Sequence, residues 1–379
     1  MERVFVIDAA RTPIGKYGGK LANLLPENLG GILLRKLLQR NNINKVDEVI
    51  VGNVIGGGGN LGRRVALSSG LNIHVPALTI DRQCASGLES ILVATAKIKS
   101  EMDECIACGG VESTSRAPWM IERPRKLYGH TPRILERSQL SIEEYGDPEM
   151  GEACEDLAMK FQISRSKQDH YAFQSQMKYQ AAKTRGVFEK EIISLNQIHE
   201  DESPRPNTTE EKLNGLPPVF RKNGTLTAGN SSPLNDGAAF LLLASEKYCH
   251  LNQITPQFEI LSGSSIGTAP EKFGLGPVYA TDKLLAMNGL TINQIDRIEL
   301  NEAFAAQVLA CLEIRDWPQD KINISGGALA FGHPFGATGA ILVRRLMTEL
   351  QQDKKLKTGL VTMCVGGGQG TSLIIRKVD

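Results

Sequence analysis

The chain has 379 residues, 41% hydrophobic and 22% charged, which is enough for two or three domains with sizeable cores. A formal net charge of +1 excludes a strong electrostatic footprint for nucleic acid or an anionic membrane. No apolar run approaches transmembrane length, and seven cysteines without a secretory pattern predict a reducing compartment.

In chain order, residues 4–7 read as a first strand with no signal-peptide core ahead of them. A helix near 29–40, a strand at 48–51, a helix near 63–69 and a strand at 76–80 follow. Beyond them come a helix at 88–99 and a strand at 104–108, which the pattern ends at Gly109-Gly110. This alternation predicts an α/β layered domain. Residues 115–234 differ, being richer in Pro, Arg, Tyr and charge, with helical stretches at 151–161 and 167–184. They read as an insertion riding on a core of 1–114 and 235–256. A basic run at 116–137 offers a surface for a small anionic ligand. The second α/β half spans 257–379. The final Arg376-Lys377-Val378-Asp379 carries no peroxisomal signal, so a cytoplasmic location is expected.

The stretch Asp81-Arg82-Gln83-Cys84-Ala85-Ser86-Gly87-Leu88 lies between the apolar residues 75–80 and the helix carrying Leu88, Ile91, Leu92, Thr95 and Ile98 at helical spacing. Cys84 is therefore expected in a tight strand-to-helix turn. A helix N-terminus presents unpaired N–H groups and partial positive charge, which would lower a thiol pKa and suit a nucleophile. The plain alternative is a small buried cysteine.

The two halves echo each other. Residues 43–51 match 292–300 in pattern, an offset of 249, and the same offset carries Cys84 to His333 and Gly87 to Gly336. The repeat predicts equivalent strand-to-helix turns facing each other across a pseudo-twofold axis. It would pair a nucleophile with a histidine titrating near neutrality. The glycine-rich setting of residues 326–334 lets backbone and ligand approach closely.

Cys364 follows a strand at 360–363 and precedes Val365-Gly366-Gly367-Gly368, whose N–H groups suit an oxyanion. A tight hairpin with a buried cysteine is the alternative. Asn301-Glu302-Ala303-Phe304 follows a strand at 298–300, where α/β proteins place ligands, unless Asn301 is a helix cap. Three signals carry nothing. Gly57-x-Gly59-x-x-Gly62 has no clean strand-turn-helix around it. Cys105 and Cys108 point to opposite faces of one strand, without a second pair. The helix at 167–184 reads as a solvated face.

Taken together, six motifs in order resemble the thiolase family over essentially the whole chain. They are residues 81–88, Gly109-Gly110-Val111-Glu112-Ser113, Thr227-Ala228-Gly229-Asn230-Ser231-Ser232, Asn301-Glu302-Ala303-Phe304, Gly332-His333-Pro334 and Cys364-Val365-Gly366-Gly367-Gly368. The resemblance implies a duplicated α/β fold with a five-layered αβαβα core and an inserted loop domain at 115–234. It also implies a homodimer or homotetramer. Coenzyme A and acyl-CoA thioesters would be substrates, with no permanently bound cofactor, no metal, no nucleic acid and no membrane. Cys84 would carry the acyl group, His333 would activate it, and Cys364 would exchange a proton with the carbon nucleophile. Asn301, through a water, would join His333 in one oxyanion hole, and the N–H groups of Cys84 and Gly366 would form the other. Ser232, Met150, Phe220 and Phe304 would line the pantetheine and acyl tunnel. The loop domain would supply basic and aromatic contacts to phosphate and adenine. Glu149-Met150-Gly151 stands where many acetoacetyl-forming relatives have His-Met-Gly. That departure leaves both acetyl-CoA condensation and cleavage of longer 3-ketoacyl-CoA open. Two other readings compete: a decarboxylating ketoacyl synthase, opposed by the Cys364 segment, and a non-catalytic acyl-CoA-binding relative, opposed by the intact Cys, His, Asn, Cys set.

Overall fold

The computed structural model describes residues 2–124, 126, 128, 131–195 and 197–378. In the basic run, Arg125, Leu127, Gly129 and His130 lie outside the described residues. The first half contains β1 (Val4–Arg11), β2 (Gly15–Lys16), α1 (Pro26–Arg40), β3 (Glu48–Gly52), α2 (Leu61–Ser69), β4 (Ala77–Ile80), α3 (Ser86–Lys99) and β5 (Cys105–Ser113). Within 115–234 lie β6 (Met120–Glu122), β7 (Arg133–Leu135), α4 (Met150–Lys160), α5 (Arg165–Thr184) and α6 (Glu210–Asn214). The chain returns through β8 (Asn235–Ser245) and α7 (Glu246–Leu251). The second half contains β9 (Phe258–Gly267), α8 (Gly276–Asn288), β10 (Arg297–Leu300), α9 (Ala305–Ile314), α10 (Ala328–Phe331), α11 (Phe335–Gln351), β11 (Thr358–Val365) and β12 (Gln369–Lys377).

The main sheet runs β10-β11-β12-β9-β1-β8-β5-β3-β4, so the two halves meet at β9 and β1. That junction rests on two residue pairs, Phe5 with Glu259 and Val6 with Phe258. Each half repeats the other outward from it, and parallel pairing appears at the flanks in β3–β4, β3–β5 and β10–β11. Helices α3 and α11 each touch strands of both halves, while α1 covers β5 and β8 and α8 covers β9, β11 and β12. The result is helix, sheet, helix, sheet, helix. A helix in the central layer has no solvent face. Accordingly every residue of α11 from Gly336 to Leu350 is buried, as periodicity alone does not require.

Small residues set the approach of the two central helices. A Cβ on Gly87 would lie 2.6 Å from the Gly336 carbonyl oxygen, and one on Gly339 would lie 2.3 Å from the Leu88 nitrogen. The matched pair Gly87 and Gly336 is thus a contact. Gly110 serves the same crossing, since its Cβ would lie 1.7 Å from the Gly336 oxygen. Gly109-Gly110 therefore does not end a strand: β5 runs through both to Ser113, and the glycines admit backbone neighbours.

The expectation of a solvated helix at 167–184 also fails. Gln168, Asp169, Ala172, Ser175, Gln176, Tyr179 and Ala182 of α5 are buried. Its polar side chains bind other buried polar groups, which hydropathy counts as solvent-facing. The Gly57-x-Gly59-x-x-Gly62 stretch runs from the loop after strand β3 into the first turn of helix α2. Eight residues separate strand and helix, and Asn60 caps α2. Cys105 and Cys108 belong to different core clusters, on opposite faces of β5.

Candidate active site

Cys84 stands between β4 and α3. The turn closes because Asp81 Oδ1 accepts from the Gln83 amide at 2.7 Å and Gln83 takes φ of 47°, left-handed backbone. Ser86 Oγ accepts from the Arg82 amide and donates to the Gln83 carbonyl, at 2.8 and 2.6 Å. Arg82 is held by Glu89 at 2.8 Å. Cys84 is half-buried, and the Gly366 amide and its own amide both donate to its sulfur. Burial still outweighs these donors and pushes the thiol up to about 11, with Glu112 and Asp81 adding to the rise. The amide donors act in the lowering direction expected of the helix N-terminus, but burial is the larger effect.

His333 also departs from expectation. The turn before it is not strand-to-helix: the counterpart of β4 shrinks to one bridge between Ile298 and Ile322, and α10 intervenes. Gly332, at φ 110°, then redirects the chain. The His333 amide donates to Asn235 Oδ1 at 2.9 Å, and the imidazole Nδ1 lies 2.7 Å from Thr338 Oγ1. That hydroxyl gives its proton to the Pro334 carbonyl at 2.9 Å, so Nδ1 carries the imidazole hydrogen and Nε2 the lone pair. Burial lowers the His333 pKa to about 3. Burial thus favours the neutral form of both the Cys84 thiol and the His333 imidazole.

Asn301 is buried after β10, with its amide donating to the Thr362 carbonyl at 3.0 Å and its Nδ2 lying 3.4 Å from His333 Nε2. It does not cap α9, whose N-cap is Phe304. Cys364 lies inside β11, two residues beyond Thr362, and pairs with Gly370 across the β11–β12 hairpin. The hairpin expected as an alternative is therefore real, and its Gly366 reaches Cys84. Burial raises the Cys364 pKa well above an ordinary thiol, and Cys84 is the next cause. Phe304 shares a buried cluster with Cys364, against which Met150 and Phe220 pack. Phe220 meets Phe304 edge-on, with centroids 5.8 Å apart. A Cβ on Gly366 would touch Leu140 Cδ1 at 3.3 Å, and Gln83 Cγ and Met150 Sδ at 3.6 Å. Ser232 is half-buried beside Phe304, its amide donating to the Ala303 carbonyl at 2.9 Å. Gly366 and Cys364 thus stand next to Cys84, Met150, Phe220 and Phe304 pack around Cys364, Asn301 lies beside His333, and Ser232 lies beside Phe304.

Comparison with known sequences decides the family. A family model described as "Thiolase, N-terminal domain" matches residues 4–247, and one described as "Thiolase, C-terminal domain" matches residues 254–377. The chain belongs to the thiolase family. It is 38% identical to a "Probable acetyl-CoA acyltransferase" of Staphylococcus epidermidis and 39% identical to a "Beta-ketoadipyl-CoA thiolase" of Acinetobacter baylyi, each over 100% of both chains. The human mitochondrial 3-ketoacyl-CoA thiolase solved in complex with CoA superposes with a TM-score of 0.93 at 37% identity. That match covers 100% of this chain and 98% of that one. This thiolase is accordingly an acyltransferase by family, and among its described residues no helix is long and apolar enough to cross a membrane.

Several residues around the thiolase site were not singled out in the sequence. Glu112 is fully buried, accepts from Asn53, Val54, Ile55 and the Gly336 amide, and is raised to about 7 by burial. Glu302 lies next to Asn301 and accepts four protein donors. Leu140 covers Gly366 from the inserted segment. Glu112 and Glu302 sit inside quoted motifs, so a carboxylate amid apolar residues was the available signal. Nothing local marks Leu140, Asn235 or Thr338.

Proposed function

We propose that this thiolase performs reversible acyl transfer between coenzyme A thioesters through an acyl-Cys84 intermediate. The observation that carries the reading is the Cys84 sulfur, which takes the Gly366 amide and lies close enough to Cys364 to raise its pKa; the Asn301–His333 pair supports it. Residues 115–234, inserted within the N-terminal half (1–256), act as the loop domain toward coenzyme A, and residues 257–379 form the C-terminal half.

In the first step His333 Nε2 takes the thiol proton as Cys84 Sγ attacks the thioester carbonyl. The amides of Cys84 and Gly366, already directed at the sulfur, hold the oxyanion. Coenzyme A leaves as a thiolate and takes the proton of Cys364. Cys364 is thereby converted from a high-pKa thiol to a strong base. It then removes the α-proton of a second acetyl-CoA, whose enolate oxygen is held by Asn301, through a water, and by the His333 imidazolium. The carbanion attacks the acyl carbon, Cys84 leaves as thiolate, and His333 returns its proton. Read backward, the same steps cleave a 3-ketoacyl-CoA into acetyl-CoA and a shortened acyl-CoA. Ser232, Met150, Phe220 and Phe304 line the path of the substrate. Edge strand β4, with Ile73 exposed beside it, supports a homodimer or homotetramer.

The test is acetyl-CoA labelling read by peptide mass, alongside acetyl exchange, condensation and a chain-length series of 3-ketoacyl-CoA substrates. The acetyl group is expected on Cys84 and absent in Cys84→Ala. Cys364→Ala should keep most acetyl exchange while losing about 10²–10⁴-fold in condensation and cleavage. Labelling at another residue, unchanged in Cys84→Ala, would discard the mechanism.

A further inference from the structure

Asn301 needs its side chain aimed beside His333, yet its own amide group has few constraints. Its Oδ1 has no protein partner among the described residues, and its Nδ2 contact to His333 is 3.4 Å long. The neighbouring Glu302 is the opposite. It is 1% exposed, and both carboxylate oxygens are doubly engaged. Oε1 accepts from Tyr171 Oη at 3.0 Å and Asn323 Nδ2 at 2.9 Å. Oε2 accepts from Ser175 Oγ at 2.7 Å and the Leu329 amide at 3.2 Å. Burial and Glu302 together raise the Tyr171 phenol well above its ordinary range, so it remains a donor.

The donors come from separate parts of the chain. Tyr171 and Ser175 belong to α5 of the inserted segment, Asn323 to the turn after the Ile298–Ile322 bridge, and Leu329 to α10. A second route joins the same helix to the same strand end. Asp169 of α5 accepts from Asn230 Nδ2 at 2.9 Å, and the Asn230 carbonyl accepts from the Ala305 amide at 2.9 Å. Helix α5 therefore holds the chain at Glu302 directly and at Ala305 through Asn230, on either side of residues 303–304.

We propose that Glu302 is a positioning residue that transmits the seat of α5 in the inserted segment to the Asn301 amide, so that the enolate site forms only when that segment is docked. The proposal rests on the reading of Asn301 as an enolate-site donor. It does not extend to Cys84, because His333 keeps independent anchors in Asn235 and Thr338. All four contacts to Glu302 are donors, so a glutamine there presents its NH₂ to two N–H or O–H groups in either orientation.

Both half-reactions are measured on Glu302→Gln, on Tyr171→Phe/Ser175→Ala and on Asn301→Ala, with melting temperature and KM for acetyl-CoA. Glu302→Gln should lose about tenfold to a hundredfold in condensation, as expected of a group misplaced by a fraction of an ångström, while KM stays within about twofold. Acetyl exchange through Cys84 should fall far less. The α5 double variant leaves two donors in place and should show the same split at about threefold to tenfold; it decides the matter if Glu302→Gln does not fold. Equal losses in exchange and condensation, or no loss in either variant, would overturn the proposal. A loss in Asn301→Ala without one in the other two sinks the positioning alone. No loss in Asn301→Ala sinks both the positioning and the reading beneath it.

Discussion

The Cys84 turn and the His333 turn occupy matched places in the two halves, but they are held in different ways. The Cys84 turn is built locally: Asp81, Gln83 and Ser86 bond within six residues of one another, and α3 follows directly. The His333 turn is anchored from a distance, through Asn235 on β8. What they share is the glycine crossing just beyond each, Gly87 against Gly336. Duplication preserved the helix contact and let the approach to it diverge. Each turn can therefore be disturbed without the other.

The largest expected effect tests the charge state of the local turn. With burial holding Cys84 up at about 11, its thiolate fraction should grow about tenfold per pH unit. Alkylation by iodoacetamide, read on the Cys84 peptide, should therefore rise about a hundredfold between about pH 7 and about pH 9 in the ligand-free protein. The six other cysteines are buried and serve as internal controls. A plateau below about pH 8 would mean that the helix N-terminus and the two amide donors win over burial, and that the site rests as a thiolate.

The shared crossing comes next. Gly87→Ala would place a methyl 2.6 Å from the Gly336 oxygen and 3.3 Å from the Ala340 nitrogen. Backbone atoms cannot rotate aside, so α3 and α11 must separate, at about 1–3 kcal/mol. Denaturant midpoints should show this loss, whereas Gly267→Ala, with nothing within 4 Å, should be nearly neutral. If the two variants were equally stable, the matched glycines would not set the helix approach.

These contrasts also explain what was legible in the sequence. The Cys84 turn was readable because strand, turn residues and helix are contiguous, and hydrophobic period changes at the turn itself. The duplication was legible in the offset from Gly87 to Gly336, whereas the strand order was not. What was not readable was any feature resting on buried polar groups that meet from distant positions. Helix α5 looked solvated because Gln168, Asp169, Ser175 and Gln176 are hydrophilic by type, although their partners lie in the core. The weight of burial on the Cys84 thiol and the His333 imidazole was not legible for a related reason. A helix terminus and a nearby histidine are visible in sequence, but the dielectric they sit in is a property of packing.

The smallest expected effect concerns the His333 turn and one hydroxyl. Thr338 Oγ1 donates to the Pro334 carbonyl and accepts from His333 Nδ1 at 2.7 Å. It is this commitment of its only hydrogen that makes Nδ1 the protonated nitrogen and leaves Nε2 as the base. Thr338→Val keeps the shape of the side chain and removes the acceptor. The imidazole would then bury an unpaired Nδ1–H or shift toward the Nε2–H tautomer, which lacks a lone pair where the thiol proton must go. Loss of one such hydrogen bond is worth about 0.5–1.5 kcal/mol, so kcat should fall about twofold to twelvefold. KM should change little, because Thr338 is on the far side of the ring from Nε2. Thr338→Ser restores the hydroxyl and should recover most of the rate. Equal rates in the valine and serine variants would show that the methyl, through packing, holds the histidine. The distant turn would then owe its tautomer to something other than this hydrogen bond.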